Sequence, residues 1–298
     1  MTTPSAFQTE LAAIAAATNA TLDQLLPPVP GPEGRVVEAM RYAALDGGKR
    51  LRPFLTVASS DMFDVPRAQS LRAAAAVEMV HCYSLVHDDL PAMDDDDLRR
   101  GRPTVHKKFD EATAILAGDA LLTEAFTVLA DPATHPDGNV RATLVAELAR
   151  AAGAAGMVGG QMIDLMAATL SLDDEGLKHL QNLKTGCIIA VGCRLGAVLG
   201  GASVGVVEQL GLYGMEMGLA FQIADDVLDV SATAAETGKA TGKDAAAGKA
   251  TFVDRLGLEG ARNLAQSLAR EAGNRLASFG KKAMLLQEAA LFAVNRRN

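Results

Sequence analysis

Helix is the fold class this sequence predicts, and three observations predict it. Every proline lies at or before Pro136, so nothing in the second half of the chain forces a helix to break. Alanine, leucine and methionine, all strong helix formers, run through the whole length. Aromatic residues make up only 4%, and the apolar–polar alternation of half-buried strands does not recur. The expectation is an all-α protein. No Pro/Gly/Ser-rich linker divides it, so residues 1–298 read as a single domain.

The elements follow in order. Residues 1–26 read as an N-terminal helix, and PPVPGPEG at 27–34 as a loop. A helix over about 35–45 stops at Gly47-Gly48. Next comes Lys49-Arg50-Leu51-Arg52-Pro53, in which three cations beside two glycines suit a phosphate, although a basic surface turn has the same composition. Residues 68–90 form a long apolar helix that Pro91 ends. It places His81 and Asp88 two turns apart on one face. Helices are expected over 107–130 and 139–167, the second containing GMVGGQMID, whose glycines permit close helix contact and whose Gln161 and Asp164 suit a polar wall. Leu183-Lys184-Thr185-Gly186 opens another apolar helix, where a lysine needs an anionic partner or water. A helix over 204–229 ends in FQIADDVLD. The composition then shifts: residues 231–250 are Gly, Ala, Thr and Lys, and Lys239, Lys243 and Lys249 between glycine hinges suit a lid over an anion, or a plain loop. Helices over 252–277 and 280–296 close the chain, with Arg296 and Arg297 set to complement the last helix dipole.

Composition limits the function. A net charge of −8 argues against nucleic acid as a partner. An acidic protein can hold an anionic substrate only through local cations, either metal ions or a few placed Lys and Arg. Cys82, Cys187 and Cys193 are odd in number and form no CxxC, which suggests reduced, buried thiols in a cytoplasmic protein. The N-terminus lacks the basic start of a signal peptide. The best membrane candidate, 186–207, is glycine-rich and carries Arg194 at mid-span, so it reads as a buried bundle helix without stable membrane insertion.

Chemistry concentrates at residues 84–106, SLVHDDLPAMDDDDLRRGRPTVH. The carboxylates from Asp88 to Asp97 repel one another unless something cationic lies between them. Clustered hard oxygens suit Mg2+ or Ca2+, and Arg99, Arg100 and Arg102 beside them suit phosphate. An EF-hand fails, because a loop starting at Asp94 would put Arg99 at the turn glycine and Val105 at the closing glutamate. The second cluster, Asp225 and Asp229 with Gln222, shares one helix face. Two such clusters facing one cavity suit a diphosphate bridged by about three divalent ions.

These residues, taken together, resemble the bacterial farnesyl diphosphate synthases, short-chain trans-prenyltransferases. GGKRLRP at 47–53, HDDLPAMDDDDLRRGRPTVH at 87–106, GMVGGQMID, KTG at 184–186, FQIADDVLD and the TGK and GK segments all stand in that family's order. The resemblance implies an isoprenoid synthase bundle around a deep central cavity, a homodimer, Mg2+, and head-to-tail condensation of an allylic diphosphate with isopentenyl diphosphate. It implies Asp88, Asp94 and Asp225 as Mg2+ ligands, with Asp89 and Asp229 supporting. It assigns Arg99, Lys184, Thr185, Gln222, Lys239 and Lys249 to the allylic diphosphate and its lid. Lys49, Arg52, His81 and Arg100 fall to isopentenyl diphosphate. Tyr83, about 7.5 Å before Asp88 along the helix, matches the aromatic floor that limits chain length and favours a C15 product over C20. A geranylgeranyl diphosphate synthase, a terpene cyclase and an inactive prenyltransferase subunit are the alternatives. The cationic pocket and the two intact clusters weigh against the last two.

Overall fold

A computed structural model describes residues 5–45, 47–167, 169–170, 172–231 and 251–295. Lys239, Lys243, Lys249, Arg296 and Arg297 lie outside the described residues. What is described is helical apart from one two-stranded hairpin, which bears out the all-α expectation. The chain parts into two compact units, one of residues 1–57 and 64–145, the other of residues 58–63 and 146–298.

The first unit opens with α1 (Ala6–Leu25), started by a capping box in which Ser5 and Gln8 satisfy each other's backbone N–H. Phe7, Leu11, Ile14, Thr18 and Leu22 form its buried stripe. After α2 (Gly34–Ala44) comes α3 (Leu51–Asp61), whose residues 58–61 fall in the second unit; its start, expected as a phosphate-binding segment or a basic surface turn, is helical. Proline is tolerated in a first turn, so Pro53 does not prevent it. The centre of this unit is α4 (Arg67–Asp88), which buries residues on every side, including Ala73 to Ala76. Small side chains let its neighbours approach closely. The expected helix over 107–130 is two pieces, α5 (Val105–Lys108) and α6 (Glu111–Ala130). Asp110 separates them: it is extended, and its carboxylate accepts the Thr113 N–H at 2.7 Å as an N-cap.

The helix expected over 139–167 is also two, α7 (Gly138–Ala152) and α8 (Met157–Met166), interrupted by the turn at Gly153–Gly156. In the second unit α9 (Asp174–Gln181) is capped by Asp173 and carries Asp174 and Glu175 in its first turn, where the helix dipole favours anions. It continues through a π-helical turn at Asn182–Gly186 into α10 (Cys187–Leu199). The KTG segment therefore lies inside a long helix, in a π-bulge, and not at a helix start. Bulges of this kind concentrate at functional positions.

The core of the second unit centres on α11 (Val204–Ser231), which buries Leu219, Ile223 and Val227 against Leu177 of α9 and against Phe252, Ala261 and Ala265 of α12 (Phe252–Arg275). A break at Gly257 and a 3-10 stretch at Ala277–Ala283 precede α13 (Met284–Asn295). Arg194 donates to Glu147 at 2.5 Å, so the charge that counted against a membrane span is paired. Two stretches, Glu111–Ala130 and Asp174–Leu199, are long and apolar enough to cross a membrane by length and composition, a test that core helices also pass.

Candidate active site

In the first unit the acidic loop leaves α4 at Asp88 and turns straight back. The Asp94 N–H donates to the Asp88 carbonyl at 2.9 Å and the Asp95 N–H to that of Leu90 at 3.2 Å. The cations expected between the carboxylates are present. Asp89 is buried and accepts both arms of the Arg99 guanidinium, at 2.6 to 2.9 Å. Burial raises the Asp89 pKa, and the Arg99 fork pulls it back part of the way. Asp97 pairs with Lys107 at 2.8 Å, a partner that lowers its pKa. Asp94 stays exposed at the loop's outer side, and Asp88 is half-buried at the end of α4. This arrangement turns Asp89 toward Arg99 and makes it a holder of that arginine.

The arginines stand on a hairpin of β1 (Leu98–Arg99) and β2 (Arg102–Pro103), which is too short to leave an alternating signal in the sequence. Arg100 and Gly101 both have positive φ, 53° and 76°, the geometry of a type I′ turn. Arg102 stacks over the Tyr42 ring at 4.1 Å, and the Tyr42 hydroxyl donates to the Pro103 carbonyl at 2.8 Å, so Tyr42 pins the second strand of the hairpin twice. From the turn Arg100 reaches the Gly47 carbonyl at 2.8 Å. A Cβ on Gly48 would meet that guanidinium at 2.7 Å, so Gly48 leaves the room that Arg100 takes.

Arg52, His81 and Arg100 therefore gather in one place, with Lys49 on the same loop. Arg52 lies 3.5 Å from His81 Nε2. Burial first, and then Arg52, Arg100, Arg99 and Arg50, push the His81 pKa well below its ordinary value. The ring is neutral at pH 7 and acts as a hydrogen-bonding group in a cationic cluster. Arg50 corrects the reading of three phosphate-facing cations. It is buried, pairs with Glu78 at 2.5 Å, and also donates to Asn19 and to the Ala44 carbonyl. Tyr83 is buried about 1.4 turns before Asp88, edge-on to His87 at 5.7 Å between ring centres. Burial, with the Asp88 charge second, raises its hydroxyl to about 12.

In the second unit Lys184 donates to Asp164 at 2.8 Å, the anionic partner that its position required. Gly160 allows this: a Cβ there would come within 2.2 Å of the Lys184 backbone nitrogen. Thr185 is buried and donates to Gln222 Oε1 at 3.2 Å. Gln222 Nε2 donates to Asp226 at 3.2 Å. Asp225 and Asp229 are half-buried on the last two turns of α11. Sequence reasoning gave no role to Asn19, Glu78 or Asp226, because nothing in a linear pattern marks an amide or a carboxylate that faces inward.

Among the described residues no three His, Cys, Asp or Glu side chains form a ready metal cage. The donor set is nonetheless the right one for Mg2+, which takes one or two carboxylates and completes its shell with water and substrate phosphate.

Known proteins supply the class. The polyprenyl synthetase family profile matches residues 33–288. This chain belongs to that family and is a prenyltransferase of isoprenoid synthesis. It is 46% identical to farnesyl diphosphate synthase of Escherichia coli (strain K12), over 93% of this chain and 94% of that one. It is 44% identical to Arabidopsis thaliana geranylgeranyl pyrophosphate synthase 9, chloroplastic, over 99% of this chain and 83% of the relative. Among solved structures, the apo FPP/GFPP synthase of Zymomonas mobilis superposes with a TM-score of 0.89 at 44% identity, covering 97% of this chain and 99% of that one. A Helicobacter pylori geranyltransferase complexed with magnesium and isoprenyl diphosphate gives 0.83 at 33% identity, covering 99% and 98%.

Proposed function

We propose that residues 1–298 act as one isoprenoid synthase domain that condenses isopentenyl diphosphate with dimethylallyl and then geranyl diphosphate to give farnesyl diphosphate. The observation that carries the reading is the pairing, at one end of α4, of hard carboxylates with a second cluster that is purely cationic and polar. One suits a metal-bound diphosphate that must ionise, the other a diphosphate that must not.

Asp88, Asp94 and Asp225 would hold the Mg2+ ions, about three per site, with Asp229 supporting and Asp89 acting through Arg99. Bound Mg2+ supplies neutralisation of the charge that builds on the departing diphosphate. Arg99 and Lys184, joined by Lys239 and Lys249, grip the allylic diphosphate, and Lys184 leaves Asp164 to do so. As the C–O bond breaks, the backbone carbonyls of Lys184 and Thr185 and the side-chain oxygen of Gln222 stabilise the allylic cation. Lys49, Arg52, Arg100 and neutral His81 hold isopentenyl diphosphate so that its double bond attacks C1 of the cation, forming the new C–C bond. The proton then lost passes to the departed diphosphate. Water is kept out, since it would quench the cation.

Tyr83 forms the floor beneath the growing chain, which favours C15. A C20 product is the second reading, favoured by the likeness to a geranylgeranyl pyrophosphate synthase and by the small Ser84 beside the floor. We place the enzyme in the cytoplasm as a homodimer, with no nucleic-acid partner and no stable membrane insertion. The net charge of −8 weighs against a nucleic-acid partner, and Ile115 and Leu116 are apolar side chains exposed on α6 that a second copy would cover.

The test is a product assay with dimethylallyl diphosphate and labelled isopentenyl diphosphate, with and without Mg2+, chain length being resolved after dephosphorylation. Mg2+-dependent C15 is expected, with longer products from Tyr83→Ala. A wild-type C20 product, or an unchanged C15 product in the variant, removes the floor. No elongation from any starter removes the activity.

A further inference from the structure

One buried group has no place in the reaction described above. Asp226 is 4% exposed, although it lies between Asp225 and the rest of the second acidic cluster. Its two oxygens receive separate donors: Oδ1 accepts from Gln222 Nε2 and Oδ2 from the backbone N–H of Phe252, both at 3.2 Å. Phe252 is the first residue of α12, where an unpartnered N–H and the helix dipole both favour an anion. The Gln222 amide thus lies between two neighbours, Asp226 at one end and the Thr185 hydroxyl, which donates to Oε1, at the other.

A side-chain amide has two faces of opposite polarity, and rotation by half a turn exchanges them at almost no steric cost. A carboxylate whose role is to accept allows only one of these orientations. Because Asp226 takes hydrogen bonds, the NH2 end of Gln222 must point to it and the oxygen end to Thr185. Thr185 spends its proton on that oxygen, so what the pair presents beside the π-turn is oxygen lone pairs. An allylic cation is stabilised there by oxygens and repelled by the N–H groups that the flipped amide would present.

We infer that Asp226 is a positioning residue that fixes the polarity of the Gln222 amide and so gives the site the correct sign for a carbocation. The inference rests on the prenyltransfer reading above. It separates Asp226 from its neighbours in the acidic motif: Asp225 and Asp229 serve the diphosphate, and Asp226 serves the hydrocarbon.

The chemistry dictates the test. In Asp226→Asn the Phe252 N–H claims the one amide oxygen, which leaves an NH2 group facing Gln222. Gln222 must then turn its oxygen toward that group and its own NH2 toward Thr185. Loss of one oriented dipole at a transition-state charge costs on the order of 10–100-fold in kcat. The KM values of both diphosphates and the Mg2+ concentration for half-maximal rate should stay within about threefold of wild type. Gln222→Glu alone sets two carboxylates against each other and is expected to be comparably slow. Combining the two restores a donor facing an acceptor, with a carboxylate oxygen again next to Thr185. The double variant should therefore turn over about tenfold faster than Gln222→Glu alone, a comparison that holds even if Asp226→Asn by itself folds poorly.

A double variant no faster than Gln222→Glu overturns the inference, as does an Asp226→Asn variant whose defect is cured by more Mg2+, which would make Asp226 a metal ligand. Wild-type turnover measured alongside distinguishes the two failures. An active wild type with no coupling defeats only the amide-polarity inference, while an inactive wild type defeats the prenyltransfer reading on which it rests.

Discussion

Arg50 holds a φ of 48°, a conformation that costs a non-glycine residue free energy, and it does so with its guanidinium buried. Glu78, Asn19 and the Ala44 carbonyl compensate for the strain and the desolvation together. The outcome is geometric. With Arg50 turned inward, Lys49 before it on the loop and Arg52 after it in the first turn of α3 are fixed in their places. Removing one partner of a buried pair leaves the other charge uncompensated, so Glu78→Ala should lose about 3–5 kcal/mol in urea unfolding. A loss below about 1 kcal/mol, the range of an exposed pair, would mean that the loop is held by something else. The same inward and outward division governs the thiols. Burial raises Cys82 and Cys193 to about 12, so neither carries a thiolate at neutral pH.

Elements explain which parts of the fold could be read in the sequence. Long helices with an unbroken apolar pattern, α1, α4, α11 and α12, were legible. What escaped depends on single residues or on backbone alone. Asp110 caps a helix where periodicity runs on, and the Gly153–Gly156 turn breaks another. The hairpin at 98–103 pairs only two residues on each strand. The π-turn carries the same side chains an α-helix would, and only its hydrogen-bond spacing differs. The acidic clusters were legible because their chemistry is their pattern. The inward turn of Asp89 and Asp226 was not, because it depends on how the hairpin carrying Arg99 folds back and on where α12 begins. Gly160 is the point where the π-turn can be tested. Gly160→Ala drives a methyl group into the Lys184 backbone, so the bulge must shift and the Lys184 and Thr185 groups with it. We expect roughly a hundredfold loss in kcat, in line with the cost of displacing positioned groups, with a normal far-ultraviolet circular dichroism spectrum. A variant with wild-type kinetics would show that the bulge tolerates the methyl group.

For the whole molecule, the prediction concerns metal dependence. Asp225→Ala should abolish Mg2+-dependent turnover while leaving thermal unfolding close to wild type, since Asp225 is half-buried and lies at the polar end of α11. Activity near wild type in that variant would remove the bridging carboxylate from the proposed site. The family, the fold class and the order of motifs all concern the molecule at this scale, and they agree with one another.

The route of the chain through its two units has a further consequence, for synthesis on the ribosome. Residues 58–63 belong to the second unit but are made before residues 64–145, which belong to the first. At about 5–20 residues per second, Ala58 and Met62, both buried in the finished fold, wait several seconds for the partners that will cover them. No single cut yields either unit both whole and free of the other's residues. A nascent chain stalled near residue 145 should therefore hold the whole first unit together with an internal segment, 58–63, whose Ala58 and Met62 are still uncovered, a natural point for a chaperone to bind.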